Sequence, residues 1–224
     1  MKTVRILSTK KLLPQQKHLL LNAGMAVVEA DYIEINYLSP EIPECNDNLI
    51  FTSQNAVRSI RANKQFTKAN HKPCFCVGSK TKSMLEAAGF TVAVCEDDAS
   101  ELAEQIVQHH RHQSFTFFSG NLRQGTLPER LLKENIQFNE IGVYRTVLKS
   151  ICMRSPADGI LFFSPSAVDS FLLTNTITDQ TCFCIGATTA QALAGITQNV
   201  VVAKKPTIEN VIVQTIKFYT NSKS

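Results

Sequence analysis

The stretch LIFTSQNAVRSI, Leu49 to Ile60, returns as ILFFSPSAVDSF, Ile160 to Phe171, about 111 positions later. Two further blocks repeat in the same order at nearly the same offset. FCVGSKTKSMLEAAGF, from Phe75, returns as FCIGATTAQALAGI, from Phe183. ILSTKKLLPQQKHLLLNAG, from Ile6, has a weaker echo in FFSGNLRQGTLPERLLKEN, from Phe117. A chain repeated in this way builds two similar units of about 110 residues, an ordinary domain size.

Each repeat alternates strand-like with helix-like runs. The pattern predicts strands at Val4–Ser8, Asp31–Leu38, Leu49–Thr52, Cys74–Val77, Val92–Val94, Phe115–Ser119, Ile141–Leu148, Gly159–Phe163, Cys182–Ile185 and Val200–Val202. Apolar residues three and four apart, such as Leu102, Ile106 and Val107, fill the intervals. Pro14 opens one helix and Gly24 closes it, and Gly89 and Gly195 sit where helix C-caps belong. The expected fold class is α/β: two similar doubly wound parallel-sheet domains. No Gly/Ser- or Pro-rich linker marks the midpoint. The two longest predicted strands, DYIEINYL and IGVYRTVL, occupy equivalent places in the halves and suit a paired connector.

Composition narrows the function. The chain is 44% hydrophobic and 19% charged, an ordinary globular balance. A net charge of +4 suits an anionic ligand but is far from a nucleic-acid-binding face. No apolar run approaches the roughly 20 residues of a membrane span. The N-terminal MKTVRILSTKKLL lacks a signal-peptide h-region and reads as a first strand. Seven scattered cysteines suggest no disulfide framework and fit a reducing cytoplasm.

Ligands of open parallel sheets bind beyond the carboxyl ends of the strands. Five junctions fall there: Ser53-Gln54-Asn55, Gly78-Ser79-Lys80-Thr81, Ser119-Gly120-Asn121, Ser164-Pro165-Ser166 and Gly186-Ala187-Thr188-Thr189. Each offers helix N-terminal N–H groups with a hydroxyl or amide, and such ends favour carboxylate or phosphate. Plain N-capping explains each one equally well. VGSKTKS lacks the glycine spacing of a phosphate loop, and no dinucleotide fingerprint occurs, so ATP and NAD are not expected. The paired CFC sequences, Cys74/Cys76 and Cys182/Cys184, read as core strand cysteines and not as a metal site. HHRH, from His109, reads as a solvated helix end. No Ser-His-Asp or Cys-His set can be assembled. The groups left at the strand ends are hydroxyls, amides, backbone N–H and Tyr144.

The duplicated F-S-x-x-A-V junction, the V-G-x-x-T loop with its late counterpart I-G-A-T-T-A-Q-A-L, and the mid-chain V-Y-R-T (Val143 to Thr146) resemble the uroporphyrinogen-III synthase family over essentially the whole chain. The resemblance implies a discontinuous first domain (residues 1–35 and 148–224), a second domain (39–142) and two connector strands (36–38 and 143–147), with the substrate between the domains. It implies cyclisation of hydroxymethylbilane, with inversion of the terminal pyrrole ring and loss of water. No cofactor and no metal are expected, and the protein is expected to be a cytoplasmic monomer without nucleic-acid or membrane partners. Tyr144 resembles the family's tyrosine that helps water leave. The polycarboxylate substrate would be held by Ser53, Asn55, Gly78, Lys80, Thr81, Ser119, Gly120, Arg123, Ser164, Ser166, Gly186, Thr188 and Thr189. The two glycines are expected to act alike, by letting the backbone approach the ligand. The alternative is a non-catalytic two-domain module that closes on a small anionic ligand.

Overall fold

The computed structural model describes residues 3–42, 44–63 and 71–221. The first half contains β1 (Arg5–Ser8), α1 (Pro14–Asn22), β2 (Ala26–Glu29), β3 (Ile33–Tyr37), β4 (Asn48–Phe51), α2 (Gln54–Ala62), β5 (Cys74–Val77), α3 (Ser79–Glu86), β6 (Val92–Glu96) and α4 (Ala99–His109). The second contains β7 (Phe115–Gly120), α5 (Thr126–Lys133), β8 (Phe138–Leu148), β9 (Gly159–Phe162), α6 (Pro165–Leu172), β10 (Thr181–Cys184), α7 (Ala187–Gln191), β11 (Val200–Val202) and α8 (Ile208–Asn221). The chain divides into two compact units, Met1–Glu34 with Val147–Ser224, and Ile35–Thr146.

The first unit holds a five-stranded sheet ordered β11-β10-β9-β1-β2, and the second a six-stranded sheet ordered β6-β5-β4-β7-β8-β3. The paired strands of the first sheet run parallel, as do β4 to β8 in the second. The repeat explains both orders. β9, β10 and β11 copy β4, β5 and β6, while β7 and the start of β8 copy β1 and β2. The two sheets therefore share one topology, entered by the chain at different strands.

The sequence pattern missed β2, reading only Asp31–Leu38 there, and started β8 three residues late. β2 is an edge strand whose residues are half-buried or exposed, so it carries no apolar alternation. In the second half the copies of β2 and β3 run together as the eleven-residue β8.

Strand alternation places each core. In the second unit Leu49, Phe51, Cys74, Cys76 and Phe118 pack against α2 and α3 through Val57, Ile60 and Leu85. Ile50, Phe75, Phe115 and Phe117 face α4 and α5 through Leu102, Ile106 and Leu131. The first unit repeats the arrangement. Ile160, Phe162, Cys182 and Cys184 meet Val168 and Phe171 of α6. Ile6, Leu161 and Phe183 meet Leu20 of α1 and Ile212 of α8. The CFC runs thus send both cysteines to one face and the phenylalanine to the other. None of the seven cysteines forms a disulfide, and burial pushes Cys74, Cys182 and Cys184 up to about 12. Among the described residues no group of three or more His, Cys, Asp or Glu could hold a metal ion. None of their helices is long and apolar enough to cross a membrane.

Candidate active site

In each unit the strand order reverses once, between β4 and β7 in the second and between β9 and β1 in the first. Loops at such a switch point diverge and leave a crevice at the strands' carboxyl ends. In the second unit a hollow of about 420 Å³ lies one strand over, beside the ends of β7 and β3 and along β8, lined by Leu38, Ser119, Gly120, Asn121, Arg123, Glu140, Gly142, Tyr144 and Arg145. All of these residues belong to that unit.

Tyr144 sits near the end of β8, half-buried, with its ring on the edge of the core that contains Phe51 and Phe118. Its ring also covers Gly120: an alanine Cβ there would lie 2.8 Å from the hydroxyl oxygen and closer still to the ring. The pairing of β7 with β8 shifts at this point, from Ser119 opposite Gly142 to Gly120 opposite Tyr144. The shift is a bulge that absorbs Val143, and bulges re-aim side chains near sites. Among the described residues the Tyr144 hydroxyl has no hydrogen-bond partner, and it borders the hollow.

Arg123 and Glu140 line the same wall as a bidentate pair, Nε to Oε1 at 2.5 Å and Nη2 to Oε2 at 2.7 Å. Hydrogen bonding from Arg123 holds the Glu140 carboxyl below the usual range, with a smaller contribution from Ser119. The sequence offered Arg123 as a substrate contact, but its guanidinium already engages a carboxylate of the protein. Ser119 is only 5% exposed, and Gly120 is covered by Tyr144.

The helix-start junctions divide into two kinds. At Ser53 the hydroxyl accepts the Asn55 N–H at 3.1 Å, and at Ser164 it accepts the Ala167 N–H at 3.2 Å. These serines are caps, as in the simpler reading. The Ser164 hydroxyl also meets that of half-buried Ser166 at 3.2 Å. The Asn55 side-chain oxygen accepts from Arg58 at 3.3 Å and faces the Tyr37 hydroxyl at 3.5 Å. Gly78 and Gly186 precede α3 and α7 with no side-chain cap, so those first-turn N–H groups lack that partner. Beside Gly78, exposed Lys80 borders a second hollow of about 510 Å³ with Gln54, Arg61, Ser79, Ser83, Met84 and Ala87. Thr188 is exposed, but Thr81 and Thr189 point inward at 4% and 1% exposure and offer a ligand no hydroxyl.

The two glycines differ in backbone conformation. Gly78 has φ +83°, a conformation that side chains rarely adopt, whereas Gly186 is extended at φ −170°.

Sequence reasoning missed Glu140, Gly142 and Arg145 around Tyr144, and Arg61 beside Lys80. Glu140 and Gly142 share one face of β8, and the bulge at Val143 turns Tyr144 to the other, so simple alternation along the strand does not connect them to Tyr144.

The chain matches the family profile HEM4: Uroporphyrinogen-III synthase HemD over residues 15–212. No curated protein matches it closely. Among solved structures, uroporphyrinogen-III synthetase from Helicobacter pylori aligns with a TM-score of 0.72 at 21% identity, covering 96% of this chain and 100% of that one. A mutant uroporphyrinogen III synthase from Thermus thermophilus aligns at 0.72 and 15% identity, covering 98% and 100%. The wild-type enzyme from that organism, in its Form-2 crystal, aligns at 0.57 and 14% identity, covering 99% and 100%. At these identities the structures show the shared fold.

Proposed function

The chain belongs to the uroporphyrinogen-III synthase family, and from that premise we propose which of its residues carry the reaction. Its role lies in tetrapyrrole biosynthesis, and its activity is that of a lyase. The alternative of a non-catalytic ligand-binding module is not favoured by this membership. The reaction closes linear hydroxymethylbilane to uroporphyrinogen III, inverts the terminal ring and releases water.

In the proposed chemistry Tyr144 is the general acid. A phenol O–H can donate its proton to a departing oxygen. Its proton passes to the terminal hydroxyl as the carbon–oxygen bond breaks and water departs, while the pyrrole nitrogen's electrons stabilise the cationic carbon left behind. The substituted α-carbon of the terminal ring attacks that carbon and becomes a spiro centre. Its older bond to the neighbouring methylene bridge then breaks, and that bridge rejoins the ring at its free α-carbon, which inverts the ring and displaces that carbon's proton. The proton released when the rings regain aromaticity returns to the phenolate, so the balance is substrate minus one water. The rest is orientation: a curled chain with its reacting carbons held together needs little further assistance. The uncapped starts of α3 and α7, with Lys80 and Thr188 beside them, take carboxylates of the substrate through backbone N–H groups. Ser53, Ser164 and Ser166 hold the helix ends in shape.

The observation that carries this reading is the Tyr144 hydroxyl, without a hydrogen-bond partner among the described residues, on a residue that lines the hollow beside β7 and β8. Tyr144→Phe should fold normally by circular dichroism and form the type III isomer about 10²-fold more slowly, the low end of general acid catalysis. Full activity in that variant would reduce Tyr144 to packing.

A further inference from the structure

Because the units are copies, each serves as a control for the other. Ser59 of α2 corresponds to Ser170 of α6, and both are buried and similarly used. The Ser59 hydroxyl shares its proton between the carbonyls of Leu38 at 3.0 Å and Val143 at 2.5 Å. The Ser170 hydroxyl reaches the carbonyls of Tyr32 and Lys149, the latter at 2.9 Å. This feature appears in both copies and so belongs to the common framework.

The end of β7 is different. Ser119-Gly120-Asn121 corresponds to Ser8-Thr9-Lys10 at the end of β1, and Tyr144 corresponds to Ile33. In the first unit, where Ile33 takes the place of Tyr144, the Thr9 hydroxyl donates to the Leu161 carbonyl at 2.7 Å. In the second unit the Thr9 equivalent is Gly120, the residue over which the Tyr144 ring lies. The next residue then does what a strand would do. β7 stops at Gly120 while β8 continues to Leu148. The Asn121 side chain accepts the Thr146 N–H at 2.7 Å and donates to the Thr146 carbonyl at 3.2 Å. It supplies one rung of a ladder beyond the end of its own strand. On the other side Val143 accepts the Leu38 N–H at 2.9 Å. Tyr144 therefore lies in a bulged segment pinned at Val143 and at Thr146, and the Asn121 pin has no counterpart hydrogen bond from Lys10 among the described residues.

We infer that Gly120 and Asn121 are positioning residues for Tyr144: Gly120 admits the ring, and Asn121 fixes the strand that aims its hydroxyl. This rests on Tyr144 being the acid. A kinetic double-mutant cycle with hydroxymethylbilane as substrate tests it. Asn121→Ala should lower kcat about 10- to 100-fold, the cost of a misplaced catalytic group, with KM changed less than about twofold. In the Tyr144→Phe background the same change should cost almost nothing further in kcat. Gly120→Ala should lose activity and melt earlier, and its melting temperature should be restored in the Tyr144→Ala background, where no ring remains to clash. Should Asn121→Ala prove unfolded, Asn121→Asp keeps the acceptor for Thr146 N–H and is read in the same cycle. Multiplied losses alongside an impaired Tyr144→Phe would overturn the positioning role and leave the acid standing. A fully active Gly120→Ala would also overturn it. A fully active Tyr144→Phe would instead remove the acid, and the inference with it.

Discussion

Replacing Gly78 and Gly186 by alanine, one at a time, separates backbone strain from ligand exclusion. Neither new Cβ would meet a protein atom within 4 Å, so no clash contributes at either position. At Gly78 the cost is conformational. Its φ of +83° and ψ of 139° lie in a region that is essentially restricted to glycine. The backbone cannot relax away from it, because the Gly78 N–H donates to the Glu96 carbonyl at 2.8 Å. Its own carbonyl accepts from Thr81 and Lys82, at 3.0 and 3.1 Å. Such a residue costs about 1–3 kcal/mol. For a chain of this size that is a fall of about 2–12 °C in melting temperature. At Gly186, φ −170° and ψ 176° suit any residue. Alanine there should be neutral, or stabilising by about 0.4–1 kcal/mol, because it restricts only the unfolded chain. Any activity that Gly186→Ala loses is then attributable to a Cβ in the path of substrate. The assay pairs thermal denaturation with turnover to the type III isomer. A Gly78→Ala protein that melts with the wild type refutes the strain argument. Unchanged turnover in Gly186→Ala refutes the assignment of substrate to the start of α7.

Two further outcomes follow from buried and charged groups. Ser59→Ala and Ser170→Ala each remove a hydroxyl that bridges two backbone carbonyls, so each should cost about 0.5–1.5 kcal/mol of stability in urea denaturation; no loss at either position would mean that the remaining backbone bonds, Leu38 N–H to Val143 and Lys149 N–H to Tyr32, suffice. Glu140 has its folded pKa depressed, first of all by the Arg123 hydrogen bond. Its contribution is therefore fully present above the ordinary glutamate value of about 4.3 and disappears as pH falls through the lower folded value. Wild type should be more stable than Glu140→Gln at pH 7, and the gap should close below about pH 4. A gap that persists unchanged to pH 3 would place its origin elsewhere.

The repeat made the architecture legible, because two copies of a weak pattern identify each other. The same logic had more to give. β2 carries little signal in AVVE, but its copy opens the long β8, and aligning Ala26 with Gln137 would have exposed both. The site was legible in outline only. Serine at Ser53 and Thr at Thr81 look alike in sequence, yet one is an N-cap and the other is the third residue of its helix, turned toward the core. A helix advances about 100° per residue, so two positions decide between solvent and interior. The Arg123–Glu140 pair was invisible because its members are joined only by the pairing of β7 with β8. The Asn121 clamp was hidden for the same reason.

If Tyr144 is the acid, as proposed, duplication also explains why the chemistry would sit on one copy. A polycarboxylate requires many similar contacts, and under the proposed reading the repeat would supply them: a serine-capped helix start and a glycine-led helix start occur in both units. Loss of one water requires one proton donor, which a second copy cannot improve. The two halves are thus free to differ where the donor stands. They do so as a set, because the changes depend on one another. The Tyr144 ring lies where a Cβ on residue 120 would clash with it, so it requires the glycine there. Ring, glycine and clamp therefore have to be present together, and in this chain they occur together in the second unit only.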